Sequence, residues 1–236
     1  MIGGKASAKP SMKNSQNKFP DITSDNLLSG NLSSWVPELY EQKDVIAINP
    51  WHDHQSVFDH TASVVSHAQH IMTFPFAGDS KKKKLVHALK KEIDGVPRQN
   101  IILAINLLHD VGCGKTMITD PATGQNNCPG HEVVGRDMSV AICTRWGLSK
   151  TLVDQISTVI FHHLDAHRMV NKIMESGKSE PAFRALRQKI GDLYFDLLIQ
   201  GYADTAGSDL PILQPKEFLF RENIYKEELI RFAASF

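Results

Sequence analysis

The chain has 236 residues, of which 42% are hydrophobic and 22% are charged, and its formal net charge is zero. This composition is typical of a soluble chain with one domain of about 200 residues and a tail, and it provides no field that would attract nucleic acid or a membrane. No stretch approaches the about 18 apolar residues of a membrane-spanning helix, and the N-terminus lacks the apolar core of a signal peptide. The three cysteines (Cys113, Cys128 and Cys143) lack metal-knuckle spacing and are expected to be reduced. We therefore expect a cytoplasmic protein without a membrane partner.

The N-terminal segment 1–34 is rich in Ser, Asn, Lys and Gly and has few large apolar residues. Such a segment buries too little apolar surface to offset the entropy of ordering, so we predict a flexible tail. A single all-α domain is predicted over residues 35–236. Its first long helix should run from about Ser56 to Met72. The lysine run 81–84 is interpreted as an exposed loop or helix start rather than a phosphate contact.

The most informative stretch is the apolar run 101–108, which ends directly in His109 and Asp110. We predict a helix that begins near Arg98 and carries this pair at its end. Burying an unpaired carboxylate costs several kcal/mol, so the pair needs a partner. A divalent metal suits both groups, and a hydrogen-bonded pair that caps the helix without an ion is the alternative.

After this pair, the glycines and prolines of residues 112–130 predict a long loop without regular structure, and loops of this length are usually functional. His131 should open a helix. Its predicted apolar stripe is Val134, Met138, Ala141, Ile142 and Trp146. Ser149 should cap the next helix, and its predicted stripe is Leu152, Ile156, Val159, Ile160 and His163. Further helices are predicted from about Pro181 to Ala206 and from about Pro215 to Phe232.

Candidate metal ligands recur on or at the ends of five predicted helices. In chain order they are His60, His109, Asp110, His131, His162, His163 and Asp204. One histidine on an apolar face is usually a packing residue. Packing alone does not readily explain why five helices each carry a ligand-type residue. Mixed imidazole and carboxylate groups suit Mn, Fe, Co, Ni, Zn or Mg. Four other histidines (His67, His70, His87 and His167) are interpreted as surface or packing residues.

A histidine on one helix, His-Asp on a second and a lone Asp near the end of a later one resemble the HD-domain superfamily of all-α, metal-dependent phosphohydrolases. The resemblance is greatest to the HD domain of bacterial tRNA CCA-adding nucleotidyltransferases and poly(A) polymerases. It covers residues from about 35 to 206. The stretches that carry it are 35–39 (WVPEL), 49–54 (NPWHDH), 57–61 (VFDHT), 107–112 (LLHDVG), 130–135 (GHEVVG), 162–164 (HHL) and 202–205 (YADT).

The resemblance implies a helical bundle with a central metal cavity that holds one or two divalent ions per chain. The implied primary ligands are His60, His109, Asp110 and Asp204. His131 with His162 or His163 would hold a second ion bridged by Asp110, and helical phase favours His163. His52 and His54 would contact the substrate at the entrance. Asp110 would also act catalytically, and Lys115 or Arg136 would neutralise developing phosphate charge.

Two departures from the family pattern limit these expectations. Cys113 and Gly114 intervene before Lys115, where family members have lysine directly after His-Asp-Val/Ile-Gly. The polymerase aspartates of the nucleotidyltransferases have no counterpart, so we do not expect CCA addition. The P-loop-like end Gly114-Lys115-Thr116 lacks the required earlier glycine, because position 109 is histidine.

The leading hypothesis is therefore a metal-dependent phosphohydrolase acting on a small nucleotide or related phosphoester, with a 2′,3′-cyclic phosphodiester as one candidate. One alternative is an HD-fold mixed-valent di-iron oxygenase. Another is a nucleotide- or RNA-binding module without turnover, although RNA has weaker support. The sequence leaves the oligomeric state open.

Overall fold

A computed structural model describes residues 19–235 and shows a mostly α-helical chain, as the sequence predicts. The elements in chain order are α1 Ser24–Leu28, α2 Pro37–Tyr40, β1 Ile46–Asn49, β2 His52–Ser56, α3 Val57–Ile71, α4 Asp79–Lys90, β3 Glu92–Ile93, β4 Val96–Pro97, α5 Arg98–Leu108, α6 Cys113–Thr116, β5 Ile118–Thr119, β6 Asn126–Asn127, α7 His131–Arg145, α8 Lys150–Ser176, α9 Ser179–Ile190, α10 Tyr194–Gly207, α11 Leu210–Leu213 and α12 Pro215–Phe232. Within these described residues, no helix combines the length and apolar character needed to cross a bilayer.

The centre of the fold is formed by α3, α5, α8 and α10. α5 packs against α3 and α8, while α10 packs against α3, α8 and α12. Every residue of α10 is buried, so this helix lies inside the bundle. The four helices share one continuous hydrophobic core, and each of them carries or ends beside a predicted ligand.

Side-chain caps position two of these helices. The Ser56 hydroxyl accepts a hydrogen bond from the Asp59 backbone N–H (2.9 Å) at the start of α3. The Ser149 hydroxyl accepts from the Leu152 N–H (3.3 Å) at the start of α8, as the sequence predicts. These caps satisfy N–H groups that have no partner within the helix. All five residues of the stripe predicted for α8 are buried.

Three β-hairpins lie where the sequence predicts none. β1 pairs with β2, β3 with β4 and β5 with β6, each in antiparallel register. Residues 112–130 therefore contain a short helix and a hairpin, and the expectation that this whole segment lacks regular structure is wrong. Asn126 connects the β1–β2 and β5–β6 hairpins, because its side chain accepts from the Ile48 N–H (2.8 Å) and donates to the Ile46 carbonyl (2.8 Å).

The predicted helix from Pro181 to Ala206 is also wrong, since α9 and α10 are separate. Gly191, at φ 60°, ends α9, and a 3₁₀ turn over Gly191–Leu193 leads into α10. A left-handed backbone conformation interrupts an α-helix, and glycine adopts it without a steric penalty. The break separates the amphipathic α9 from the fully buried α10.

The inward face of α7 differs from the predicted stripe as well. Ala141 is exposed, whereas Gly135 and Ser139 are buried. The reason is a close backbone approach: a Cβ on Gly112 would lie 2.4 Å from the His131 carbonyl oxygen and 2.7 Å from the Gly135 nitrogen. The start of α7 is therefore packed through glycine backbone, which a search for apolar side chains does not detect.

Residues 19–34 do not form the flexible tail that their composition suggests. Ile22, Leu27 and Leu32 are buried in the main core, and α1 begins with a Thr23 cap that accepts from the Asn26 N–H (3.0 Å). Three well-placed apolar side chains are enough to dock this otherwise polar segment. The remainder of the predicted tail, residues 1–18, lies outside the described residues.

This docking predicts opposite results for two neighbouring leucines in α1. Leu27→Ala removes a fully buried side chain and should lower the free energy of unfolding by about 2–5 kcal/mol. Leu28→Ala, at a side chain that is 54% exposed, should change it by less than about 0.5 kcal/mol. Urea denaturation followed by circular dichroism measures both values. Equal stabilities for the two variants would show that α1 is not part of the cooperative core.

Candidate metal centre

Six predicted ligand side chains from α3, α5, α7, α8 and α10 meet at one place in the bundle. Five of them line a cavity of about 210 Å³, and His109 is completely buried directly behind it. The six are His60, His109, Asp110, His131, His163 and Asp204. His60 and His163 project from within helices, and His109 and Asp110 follow α5 without an intervening turn residue.

The first cluster comprises His60, His109 and Asp204. The Asp204 Oδ1 atom lies 3.2 Å from the His60 Nε2 atom and 3.9 Å from the His109 Nε2 atom. The two Nε2 atoms are 3.3 Å apart. All three residues are buried, and their donor atoms are close enough to hold a metal ion together.

Asp110 lies between this cluster and a second one, and its two carboxylate oxygens face different partners. Oδ2 lies 3.4 Å from the His109 Nε2 atom and 3.7 Å from the His60 Nε2 atom. Oδ1 lies 3.2 Å from the His131 Nε2 atom and 3.7 Å from the His163 Nε2 atom. One carboxylate is thus shared by two pairs of histidines.

The orientation of the imidazoles is set by backbone carbonyls. The Nδ1 atoms of His109, His131 and His163 donate to the carbonyls of Asn106 (2.8 Å), Cys128 (2.6 Å) and Ile160 (2.6 Å), respectively. A carbonyl only accepts, so Nδ1 carries the proton in each ring. The Nε2 atom of each ring therefore points into the cluster, where its lone pair can bind a metal once it carries no proton, as is usual for histidine ligands.

Strong charge coupling accompanies this geometry. Burial disfavours the charged form of His109, but the carboxylates of Asp110 and Asp204 outweigh it and raise the pKa of His109 to about 9. Burial also opposes charge on Asp110 and Asp204, yet His109 and the other histidines hold the pKa of both carboxyls well below the usual range. Burial and the neighbouring His131 lower the pKa of His163 to about 3.

The donor set fits a divalent cation. Imidazole and carboxylate ligands lie about 2.0–2.2 Å from zinc, for example, so ligand atoms around one ion are typically about 3–4 Å apart. The 3.2 Å and 3.3 Å separations within the first cluster fall in this range. The 2.9 Å between the His131 and His163 Nε2 atoms would oppose two lone pairs unless a proton or a cation lay between them. The residues thus suit a metal ion, although they do not identify which metal.

His167 joins the site, although the sequence interpretation assigned it to surface or packing. Its Nε2 donates to the Asp204 Oδ2 atom (3.0 Å), as does the Gln200 side-chain amide (3.2 Å), so Oδ1 is left for the first cluster. His167 also lines the cavity. The signal was present, because His167 follows His163 by four residues and residues at that spacing share a helix face.

Four residues predicted at the site lie elsewhere. His54 is exposed and pairs with Asp53 (2.8 Å), while His162 points away from the cavity to Asp165 (2.8 Å). Lys115 is exposed, and Arg136 pairs with Asp137 on the surface (2.8 Å). Within the described chain, no Lys or Arg lines the cavity.

Of the two predicted entrance histidines, only His52 lines the cavity. Its ring meets that of His60 edge to face at 4.7 Å. Burial and His60 together lower the pKa of His52, so its ring is neutral near pH 7. Its Nδ1 atom lies 2.7 Å from the Gln55 side-chain oxygen, which fixes Nδ1 as the protonated nitrogen.

Comparison with known proteins gives limited support to the family interpretation. No protein-family model matches the chain. The chain is 32% identical over 80 residues to the A-adding tRNA nucleotidyltransferase of Deinococcus radiodurans, a match that covers 34% of this chain and 18% of that protein. The chain thus matches less than a fifth of the length of this relative. This distant similarity to an enzyme and the buried His/Asp clusters agree with a metal-binding enzyme. They do not specify the reaction.

Proposed function

We propose that the protein is a metal-dependent phosphohydrolase that acts on a nucleotide or related small phosphoester, for which a 2′,3′-cyclic phosphodiester is a candidate. The observation that carries the proposal is Asp110, whose two oxygens face the Nε2 atoms of different histidine pairs. A carboxylate placed in this way can join two metal positions. The similarity to a tRNA nucleotidyltransferase favours a nucleotide-like substrate over other phosphoesters.

Divalent cations bound at such a site would polarise a phosphoryl oxygen and lower the pKa of a bound water. The residues of the chain contribute by holding and screening the reacting groups. His60, His109, Asp110 and Asp204 would hold the first ion, and Asp110, His131 and His163 the second. His167 and Gln200 fix Asp204 by binding its Oδ2 atom. Trp51 and Leu164 provide apolar walls, which strengthen electrostatic interactions within the cavity.

Because Lys115 and Arg136 are outside the cavity, the cations themselves would neutralise the phosphate charge. The histidines of the wall are the other groups available for this purpose. We therefore expect that the protein binds a phosphoester only when the metal is present, and that the metal does more than raise the affinity. Isothermal titration with a phosphodiester should show binding to metal-loaded protein and none to protein treated with a chelator.

The proposal is tested by metal analysis followed by a substrate panel. Purified protein should contain transition metal, and protein reloaded with Mn, Co, Ni or Mg should hydrolyse bis-p-nitrophenyl phosphate or a 2′,3′-cyclic nucleotide. Metal-loaded protein that binds nucleotide or RNA but hydrolyses no phosphoester would favour a binding module. Protein that binds no divalent metal would contradict the proposed phosphohydrolase.

Substitution of His131 distinguishes the one-metal version of this proposal from the two-metal version. His131→Ala removes a ligand of the second position only, so metal content should fall from about two ions per chain to about one, with most activity lost. The matched control is His162→Ala, because His162 pairs with Asp165 and does not line the cavity. Full activity in His131→Ala with one bound ion would show that the second position is not needed.

The absence of Lys and Arg from the described cavity wall favours one other candidate, an oxygenase with two iron ions. Such chemistry does not require a site for a phosphate charge, and the six clustered ligands would suffice for two ions. Protein purified under anaerobic conditions with a high iron content, visible colour and substrate-dependent oxygen uptake would support it. Hydrolysis under strictly anaerobic conditions would contradict it.

A further inference from the structure

Cys113 lies next to the second candidate metal position, and its thiol is hydrogen-bonded to the Cys128 thiol. Its sulfur lies within 4.8 Å of a ligand atom of Asp110 and of a ligand atom of His131. The Cys113 side chain is only 4% exposed, and it forms part of the cavity wall. The Cys113 N–H donates to the Asp110 carbonyl (2.9 Å), which keeps the two residues in one tight turn after α5.

The two candidate positions differ in the number of ligands around them. The first position has four, from His60, His109, Asp204 and the Oδ2 atom of Asp110. The second position has three protein ligands, from His131, His163 and the Oδ1 atom of Asp110. The second position thus has one protein ligand fewer than the first, and Cys113 lies beside it.

A second observation concerns the two imidazole rings of this position. His163 is 1% exposed, and its Nε2 faces the His131 Nε2 at 2.9 Å although each ring already donates from Nδ1 to a carbonyl. Two such rings hold two lone pairs that a proton or a cation can separate, and the Asp110 Oδ1 atom faces the same His131 nitrogen at 3.2 Å. A cation bound between these groups would take the place of that proton, and it would lie beside the Cys113 sulfur.

We propose that the Cys113 thiolate is the fourth protein ligand of the second metal position, which therefore takes a borderline-soft ion such as Zn, Co or Fe(II) in preference to Mg or Mn. This inference rests on the metal site of the proposed function. Binding forms one sulfur–metal bond and releases the thiol proton to solvent, so the metal is not reduced or oxidised. Mixed sulfur, nitrogen and oxygen ligation is common for zinc in proteins.

The test uses cobalt, because a cobalt–thiolate bond gives a sulfur-to-metal charge-transfer band in the near ultraviolet, separate from the visible bands of any bound cobalt. Metal-free full-length protein is titrated with Co²⁺ alone. The wild type should show the near-ultraviolet band as the second equivalent binds. Cys113→Ser should lose the band but keep visible cobalt bands, and Cys113→Ala serves as a second variant if the serine form is unstable.

Two cysteines act as matched controls. Cys128→Ser tests the other cavity cysteine, and Cys143→Ser tests a buried cysteine that does not line the cavity. Both should keep the band. Cobalt bound without a near-ultraviolet band, or a band that disappears in Cys128→Ser and persists in both Cys113 variants, would overturn the assignment of Cys113 while leaving the proposed function intact. Failure to bind cobalt at all would contradict the proposed function itself.

Discussion

Asp110→Ala should sharply lower the metal affinity of both positions and abolish any hydrolytic activity. Within residues 19–235, the substitution removes the only carboxylate that faces both histidine pairs. Removing a residue that merely orients a ligand costs about 10–100-fold in affinity or activity, and we expect the loss of a shared ligand to exceed this. Metal content by mass spectrometry and hydrolysis of bis-p-nitrophenyl phosphate with Mn, Co, Ni and Mg provide the two measurements.

A surface aspartate provides the control for this experiment. Asp137 is 67% exposed and pairs with Arg136, so Asp137→Ala should leave metal content and activity unchanged. Asp110→Asn keeps the shape of the side chain and tests whether the negative charge is the essential property. Circular dichroism verifies that each variant is folded. If Asp110→Ala kept both its metal and its activity, the site would be misidentified.

Gly112→Ala should disrupt the second half of the site without altering a ligand. The added methyl group would lie 2.4 Å from the His131 carbonyl oxygen and 2.7 Å from the Gly135 nitrogen, both of which are backbone atoms. Overpacking usually costs about 1–3 kcal/mol, and we expect the upper end because backbone atoms cannot rotate away. The start of α7 must move, so His131 should lose its position relative to Asp110.

Gly78→Ala is the matched control, because no atom lies within 4 Å of the position its Cβ would occupy and its φ of −64° suits alanine. The thermal unfolding temperature and the metal content should both fall for Gly112→Ala. Both should stay near the wild-type values for Gly78→Ala. A Gly112→Ala variant as stable as the wild type and with two bound ions would show that the two backbones can separate at little cost.

Much of the helical architecture could be predicted from periodicity and caps. The predicted helix from Ser56 to Met72 corresponds to α3, Ser149 caps α8, and the last helix runs from Pro215 to Phe232 as expected. The helices and their caps depend on local spacing, which a single sequence contains. The grouping of His60, His109 and Asp204 was instead expected from the resemblance to the HD-domain superfamily.

The features that escaped prediction depend on contacts between distant residues or on backbone conformation. The docking of Leu27 requires a partner surface from the core, and the division of α9 from α10 requires the left-handed Gly191. Lys115 was placed near the substrate because a lysine follows His-Asp-Val/Ile-Gly in the family pattern, but the short helix α6 leaves it exposed. His167 was overlooked because it lies outside the motifs, although its spacing from His163 places it on the same face.

The connection that Asn126 makes between two hairpins affects how such a protein can change during evolution. Its one side chain connects the hairpin that contains His52 to the hairpin of β5 and β6, and residues of both hairpins line the cavity. All six clustered ligands, by contrast, belong to helices or follow one within two residues. Access and reactivity are thus encoded in different parts of the chain. Changes in the length or composition of the hairpins can alter which molecules enter the cavity, while the metal ligands on the helices stay the same.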